Sequence, residues 1–232
     1  MSSIPEKIRD VSHQISEFAQ KYKRASNSVL LLAVSKTQAA DKIIAAHQAG
    51  QNDFGENYLQ EALEKISQLK HLSLSWHFIG PIQSNKTKAI AESFAWVHSV
   101  DRVKIARRLN EQRPDSLPPL NVFLQVNIDQ EPSKAGLTIE ELPVLAEHFK
   151  TLKHLKLCGL MAIPAPAETF EQQRLAFHKL AQARDDLLTR GFVDCQHLSM
   201  GMSRDFEAAI AEGSTIVRIG TDIFGARTSI SN

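Results

Sequence analysis

The chain has 232 residues, with 27 lysines and arginines against 26 aspartates and glutamates. That length suits one large core, so a single domain over 1–232 is expected, and the near-zero net charge gives no reason to expect nucleic acid or an anionic membrane as partner. The N-terminus MSSIPEKIRD lacks an apolar leader core, no apolar run approaches the ~20 residues of a membrane helix, and both cysteines are isolated; together these predict a soluble protein of the reducing cytoplasm.

Ile4, Ile8, Val11, Ile15 and Phe18 recur at steps of three and four, the period of an amphipathic helix. Short β-rich segments then alternate with helical ones. The strand candidates are residues 30–36, 52–57, 76–80, 96–100, 121–128, 156–163, 196–200 and 215–220. Helical patterns lie between them at 39–48, 58–69, 86–94, 103–111, 139–152, 170–188 and 205–211. Strict alternation predicts a parallel sheet. Eight such strands suit an α/β fold closed as a (β/α)8 TIM-like barrel, with the first helix as an N-terminal extra, better than an open doubly wound sheet; no GxGxxG follows the first strand. The stretch after the last strand, Thr221–Asn232, is too short for a full outer helix, so the N-terminal helix is expected to cover that side.

In LLLAVSK, residues Leu32, Val34 and Lys36 share one face of the strand. In a barrel that face is the interior, and position 36 is the strand's C-terminal end, where barrel active sites lie. A partly desolvated lysine there is a candidate for Schiff-base formation. The plainer alternative has Lys36 snorkelling from the barrel mouth or pairing with Glu56.

Further on, HLSMGMSRDFEAAIAEG reads as a strand, a small-residue turn and a helix start. Ser199, Gly201 and Ser203 offer hydroxyls and approachable amides beside a helix N-terminus, a common way to hold phosphate. The next strand ends in Gly220 and Thr221, and barrel phosphate sites are frequently built from the loops after strands seven and eight. Closure sets strand eight beside strand one, ~4.8 Å away. A flat ligand with an aldehyde at one end and a phosphate at the other spans those neighbours, and pyridoxal 5'-phosphate has that form. Arg218, two residues before Gly220, points to the same interior. It either pairs with a carboxylate such as Glu56 or Asp222, or donates to an unprotonated pyridine nitrogen, which would make a weak electron sink.

Five ordered motifs resemble those of the pyridoxal phosphate homeostasis proteins, single-domain relatives of the bacterial alanine racemase barrel: AVSKT (33–37), FGENYLQE (54–61), WHFIGPIQSNK (76–86), GLMAIPAP (159–166) and the run from Leu198 to Arg227. The resemblance implies Lys36 as the Schiff-base lysine, Asn57 near the ring substituents and Arg218 as partner of the pyridine nitrogen. It implies phosphate contacts from Ser199, Gly201, Gly220 and Thr221. On pattern alone Asn57 reads equally as the N-cap of the following helix. His77 reads as a satisfied interior histidine, and Ser84, Asn85 and Lys86 as a polar mouth or a helix start.

The racemase relatives carry a second base, a tyrosine, on an additional C-terminal β domain. Here the tyrosines, Tyr22 and Tyr58, fall on predicted outer helices or their approach. The leading expectation is therefore a non-catalytic, monomeric, cytoplasmic protein of cofactor homeostasis that holds pyridoxal phosphate on Lys36. It would affect amino-acid and keto-acid balance indirectly, with apo pyridoxal-phosphate enzymes as candidate partners. The alternatives are an active pyridoxal-phosphate racemase or related enzyme, and a Schiff-base aldolase or sugar-phosphate isomerase without the cofactor. Metal chemistry is not expected, since none of the nine histidines forms an HxH or HExxH pattern.

Overall fold

A computed structural model of the chain describes residues 2–131 and 134–225. Eight parallel strands, β1 (Leu30–Val34), β2 (Asp53–Glu56), β3 (Ser75–Phe78), β4 (Trp96–Val100), β5 (Leu120–Val126), β6 (Leu155–Ala162), β7 (His197–Ser199) and β8 (Ile216–Ile219), pair in chain order. Pairing of β8 with β1 closes the barrel, matching Leu32 with Arg218 and Ala33 with Ile219. Each strand falls on its predicted segment. The outer layer comprises α1 (Ile4–Lys21), α2 (Ala40–Gln48), α3 (Leu59–Gln68), α4 (Thr87–Ser93), α5 (Val103–Gln112), α6 (Leu142–Phe149), α7 (Phe170–Thr189), α8 (Phe206–Ala211) and a single turn, α9 (Thr221–Phe224).

Two helical readings differ from the structure. Helix α6 is shorter than 139–152 because Thr138 and Glu141 bond each other's backbone N–H groups in a turn ahead of it. The α9 turn follows Gly220 directly and carries no apolar periodicity long enough to be seen in the sequence. The Leu198–Arg227 motif runs past Gly225, so its last two residues lie outside the described ones.

Helix α1 starts at a capping box, in which Ser3 and Glu6 bond each other's backbone, with Pro5 in the first turn. Its buried stripe of Ile8, Val11, Ile15 and Ala19 packs between α2, α8 and α9. Among the described residues, α9 is the one element that follows β8. Lys21 Nζ and Tyr22 Oη both donate to Glu207, which ties the end of α1 to α8.

Strand parity divides the core. Outward residues such as Phe54, Phe78, Val97, Leu124 and Val217 join one continuous cluster between sheet and helices. Inside the barrel, Leu32, Phe123, Met161 and Ile216 pack with Ile79 and Trp96. The inner wall also carries buried polar residues, among them His77, His98, Ser199 and Arg218.

If α1 covers the barrel as a structural wall, Ile15→Ala will cost about 2–5 kcal/mol in urea unfolding. His13→Ala, on the exposed side of the same helix, will change stability by less than about 0.5 kcal/mol.

Candidate functional site

The C-terminal ends of the strands surround a cavity of about 270 Å³, close to the lower end of ordinary small-ligand pockets at about 300 Å³. Strand β1 contributes Val34 and Lys36; Asn57 follows β2, and Ile79 follows β3. Met161 and Ile163 come from β6 and its end, Met202, Ser203 and Arg204 from the loop after β7, and Arg218, Gly220 and Thr221 from β8 and the turn beyond. The ionisable groups in this lining are Lys36, Arg204 and Arg218, all cationic types. Such a wall favours an anion.

The β1–β8 register brings Lys36 and Gly220 to the same end of adjacent strands. Gly220 matters there for its missing side chain, because a Cβ would lie 3.2 Å from the Val34 carbonyl oxygen. Lys36 is half-buried. The expected alternative partner, Glu56, lies on the opposite side of the sheet and is fully buried. Its Oε1 accepts from Ser35 Oγ at 2.7 Å and from Lys65 Nζ at 2.8 Å. The second carboxylate oxygen, Oε2, is buried with no hydrogen-bond partner among the described residues.

Lys65 does more than neutralise that carboxylate. Its ammonium also donates to the Ser35 carbonyl at 2.7 Å and to Glu61, whose carboxylate accepts from the Thr37 N–H at 2.6 Å. The residues on both sides of Lys36 are therefore held by one buried charge cluster. Thr37 sits at φ 63°, an uncommon conformation for a β-branched residue that persists where surrounding bonds fix it. Burial pushes the Glu56 carboxyl above its usual range, and Lys65 opposes that shift.

Asn57 is not the cap of α3; the cap position is Tyr58, with no side-chain hydrogen bond. Asn57 lines the cavity instead, and its Oδ1 is buried with no partner among the described residues. Gly80 packs so closely on it that a Cβ would fall 2.1 Å from the Asn57 carbonyl oxygen, and Ser99 Oγ fixes Gly80 by donating to its carbonyl.

Among the described residues Arg218 is hydrogen-bonded to no carboxylate, neither Glu56 nor Asp222. Its Nη1 donates to Ser199 O at 2.5 Å and Ser199 Oγ at 2.8 Å, and its Nη2 to Ala162 O at 2.9 Å. Burial lowers its pKa to about 10 while Asp205 opposes the shift, so the guanidinium remains charged at neutral pH.

Ser199 and Gly201 are placed differently from the sequence reading. Ser199 is fully buried and does not line the cavity; its hydroxyl lies between Arg218 and His98 Nδ1, 2.8 Å away. Gly201, at φ 95°, packs on α8, where a Cβ would meet Ala209 Cβ at 2.6 Å. The parity of β7 explains the first difference, since Ser199 points inward one level below the mouth. The loop instead presents Ser203, visible in the sequence as a helix start, and Arg204, which the sequence reading passed over although it is the one basic residue between β7 and α8.

His77 is a satisfied interior histidine, bonded to His98 and Asp53, and residues 84–86 form the turn into α4. Burial pushes the thiols of Cys158 and Cys195 up to about 11 and about 12, far from a reactive thiolate. Among the described residues no group of His, Cys, Asp or Glu is arranged to hold a metal.

Residues 9–228 match the family described as alanine racemase, N-terminal domain, and the chain belongs to that class. PipY of Synechococcus elongatus, solved with PLP bound, is 34% identical with a TM-score of 0.86, over 96% of this chain and 100% of that one. Alanine racemase from Corynebacterium glutamicum, at 18% identity and a TM-score of 0.64, covers 96% of this chain but 62% of its own and shares the fold. The pyridoxal phosphate homeostasis protein of Pseudomonas aeruginosa is 58% identical over 98% of this chain and 97% of its own length. That of Escherichia coli K12 is 50% identical over 98% of each. The chain belongs to the pyridoxal phosphate homeostasis protein family.

Lys65→Met leaves Glu56 buried without its cation and will cost about 3–5 kcal/mol at neutral pH. Because the folded-state pKa of Glu56 is raised, the unfolded state holds fewer of its protons, and stability falls as pH rises through the folded value. The loss measured by denaturant unfolding will therefore shrink in acid. A loss independent of pH would place the damage elsewhere.

Proposed function

We propose that the protein binds pyridoxal 5'-phosphate across the β1–β8 seam, tethered at Lys36, and serves cytoplasmic cofactor homeostasis as a monomer without catalysing a reaction. The observation that carries this is the cavity wall: Lys36 and Arg218 on neighbouring strands, with Arg204 completing a set of ionisable residues that are all cationic types. The buried Oδ1 of Asn57 adds a polar group without a protein partner at the same place.

The residues present fit the cofactor. Ser203, Arg204, Gly220 and Thr221 would receive the phosphate, Asn57 would lie beside the ring substituents, and Arg218 would face the pyridine nitrogen. When bound, the cofactor supplies an aldehyde that a neutral lysine amine captures reversibly with loss of water. Arg218, charged and donor-only, suits an unprotonated nitrogen and so a weak electron sink.

Proton exchange on two faces of a substrate carbon needs two acid/base groups. No carboxylate, histidine, tyrosine or thiol lines the cavity among the described residues. Tyr22 is engaged with Glu207 on the outer layer, and Tyr58 is exposed at the start of α3. This supports a holding role, with handover to apo pyridoxal-phosphate enzymes as its use. No described helix is long and apolar enough to cross a membrane.

Borohydride reduction of the protein incubated with pyridoxal phosphate, followed by peptide mapping, will place the pyridoxyl group on Lys36, and Lys36→Ala will abolish it. An adduct elsewhere, or none, overturns the tether. Solvent deuterium will enter the α-position of a panel of amino acids no faster than with free cofactor; rapid stereospecific exchange would make the protein an enzyme. Arg218→Ala will weaken binding by about tenfold or more, given ~1.5–3 kcal/mol for a hydrogen bond from a charged donor.

A further inference from the structure

A chain of buried hydrogen bonds crosses the barrel interior from Arg218 to the opposite end. Ser199 Oγ lies 2.8 Å from Arg218 Nη1 and 2.8 Å from His98 Nδ1. His98 Nε2 lies 3.0 Å from His77 Nδ1, and His77 Nε2 lies 3.1 Å from Asp53 Oδ1. Asp53 is the first residue of β2, so it sits at the N-terminal end of the barrel, with its side chain 25% exposed. His77, His98 and Ser199 are all fully or almost fully enclosed.

The two ends fix the direction of every bond. Arg218 can only donate, so Ser199 Oγ accepts from it; the Asp53 carboxylate at the other end can only accept, which, with both histidines neutral, leaves the Ser199 O–H to donate to His98 Nδ1. His98 therefore carries its proton on Nε2 and donates to His77 Nδ1. His77 in turn carries its proton on Nε2 and donates to the Asp53 carboxylate, with Ser75 Oγ a longer neighbour at 3.3 Å. Burial lowers the pKa of both histidines, most strongly that of His98, so both are neutral at pH 7 as this pattern requires. Reversal would leave the Ser199 hydroxyl proton without its acceptor and press a second donor onto the oxygen that serves Arg218. Stacking of His77 on Trp96, with planes 3° apart, and packing of His98 on Phe123 hold both rings in the orientation the chain uses.

Arg218 is thus gripped by Ser199 and by the carbonyls of Ser199 and Ala162, while the guanidinium still borders the cavity. Asp205, on the loop after β7, attracts it through space but accepts from the Met202 N–H. We propose that Asp53, on the far end of the barrel, is a positioning residue for the cofactor ring: through His77, His98 and Ser199 it fixes the donor direction that aims Arg218 at the pyridine nitrogen. This rests on the reading of Arg218 given under Proposed function. The chain explains why two interior histidines stand beneath a site that uses neither of them directly.

The test uses two ligands, pyridoxal 5'-phosphate and 1-deazapyridoxal 5'-phosphate, in which carbon replaces the ring nitrogen. Affinity and the absorption maximum of the bound ligand are measured for the intact protein, Asp53→Asn, Ser199→Ala and Arg218→Ala. The expected result is that Asp53→Asn and Ser199→Ala weaken pyridoxal phosphate about three- to tenfold, in the range for residues coupled through one network. They also shift its spectrum, and leave the deaza analogue unchanged. Equal losses for both ligands would reduce the chain to structural support and overturn the proposal, as would no change for either. If Arg218→Ala itself treats the two ligands alike, the ring-nitrogen reading fails and this inference with it. If Arg218→Ala discriminates while neither Asp53→Asn nor Ser199→Ala does, the inference alone fails. Should Asp53→Asn fold poorly, Ser199→Ala decides the question from the other end of the chain.

Discussion

Parallel pairing of the last strand with the first is the constraint on which the site depends. Without it Lys36 and Arg218 belong to opposite ends of the sequence; with it, Leu32 stands against Arg218 and the two side chains open into one cavity. The seam is close at its upper end, where a Cβ on residue 220 would make a tight contact with the Val34 carbonyl. Among the described residues a single turn, α9, follows β8, and α1 packs against it as a covering wall.

Charge is sorted by strand parity. Ser35 and Glu56 turn outward to meet Lys65 between sheet and helix, whereas Lys36 and Asn57, one residue on, turn toward the cavity. Carboxylates are kept behind the sheet, at the opposite end of the barrel, or, like Asp205, occupied by a backbone amide. The cavity wall is left cationic by this sorting, and an anionic ligand meets no repelling group on it. The interior below combines an apolar cluster with polar residues that bond one another, in keeping with the cost of an unmet donor in a low-dielectric interior.

The fold was legible because short β-rich segments alternate with helical periodicity along the whole barrel, and period counting suffices for that. Lys36 and Arg218 were legible for the same reason: alternation assigns each to the inner face without knowledge of the partner strand. Ser199 was misplaced because alternation gives the face but not the depth, and only the β7–β8 pairing shows it one level below the mouth. Asn57 was ambiguous because a cap and a cavity residue look alike in sequence, and the close approach of Gly80 that separates them is a contact between strands. The histidine chain was hidden for a related reason. His77 and His98 each look like isolated core histidines, and their link needs the β3–β4 register as well as the parity of each strand.

The position of the cavity on the seam would make a ligand bound as proposed a cross-strap between the beginning and the end of the chain. Residues 36 and 218 are separated by roughly 180 positions, so the loop that a bound molecule would close is nearly the whole polypeptide. Most ligands brace a neighbourhood; one held at this join would brace the circumference, and any opening that begins between β1 and β8 would first have to release it. Under the proposed binding, occupancy and resistance to unravelling would be the same physical event.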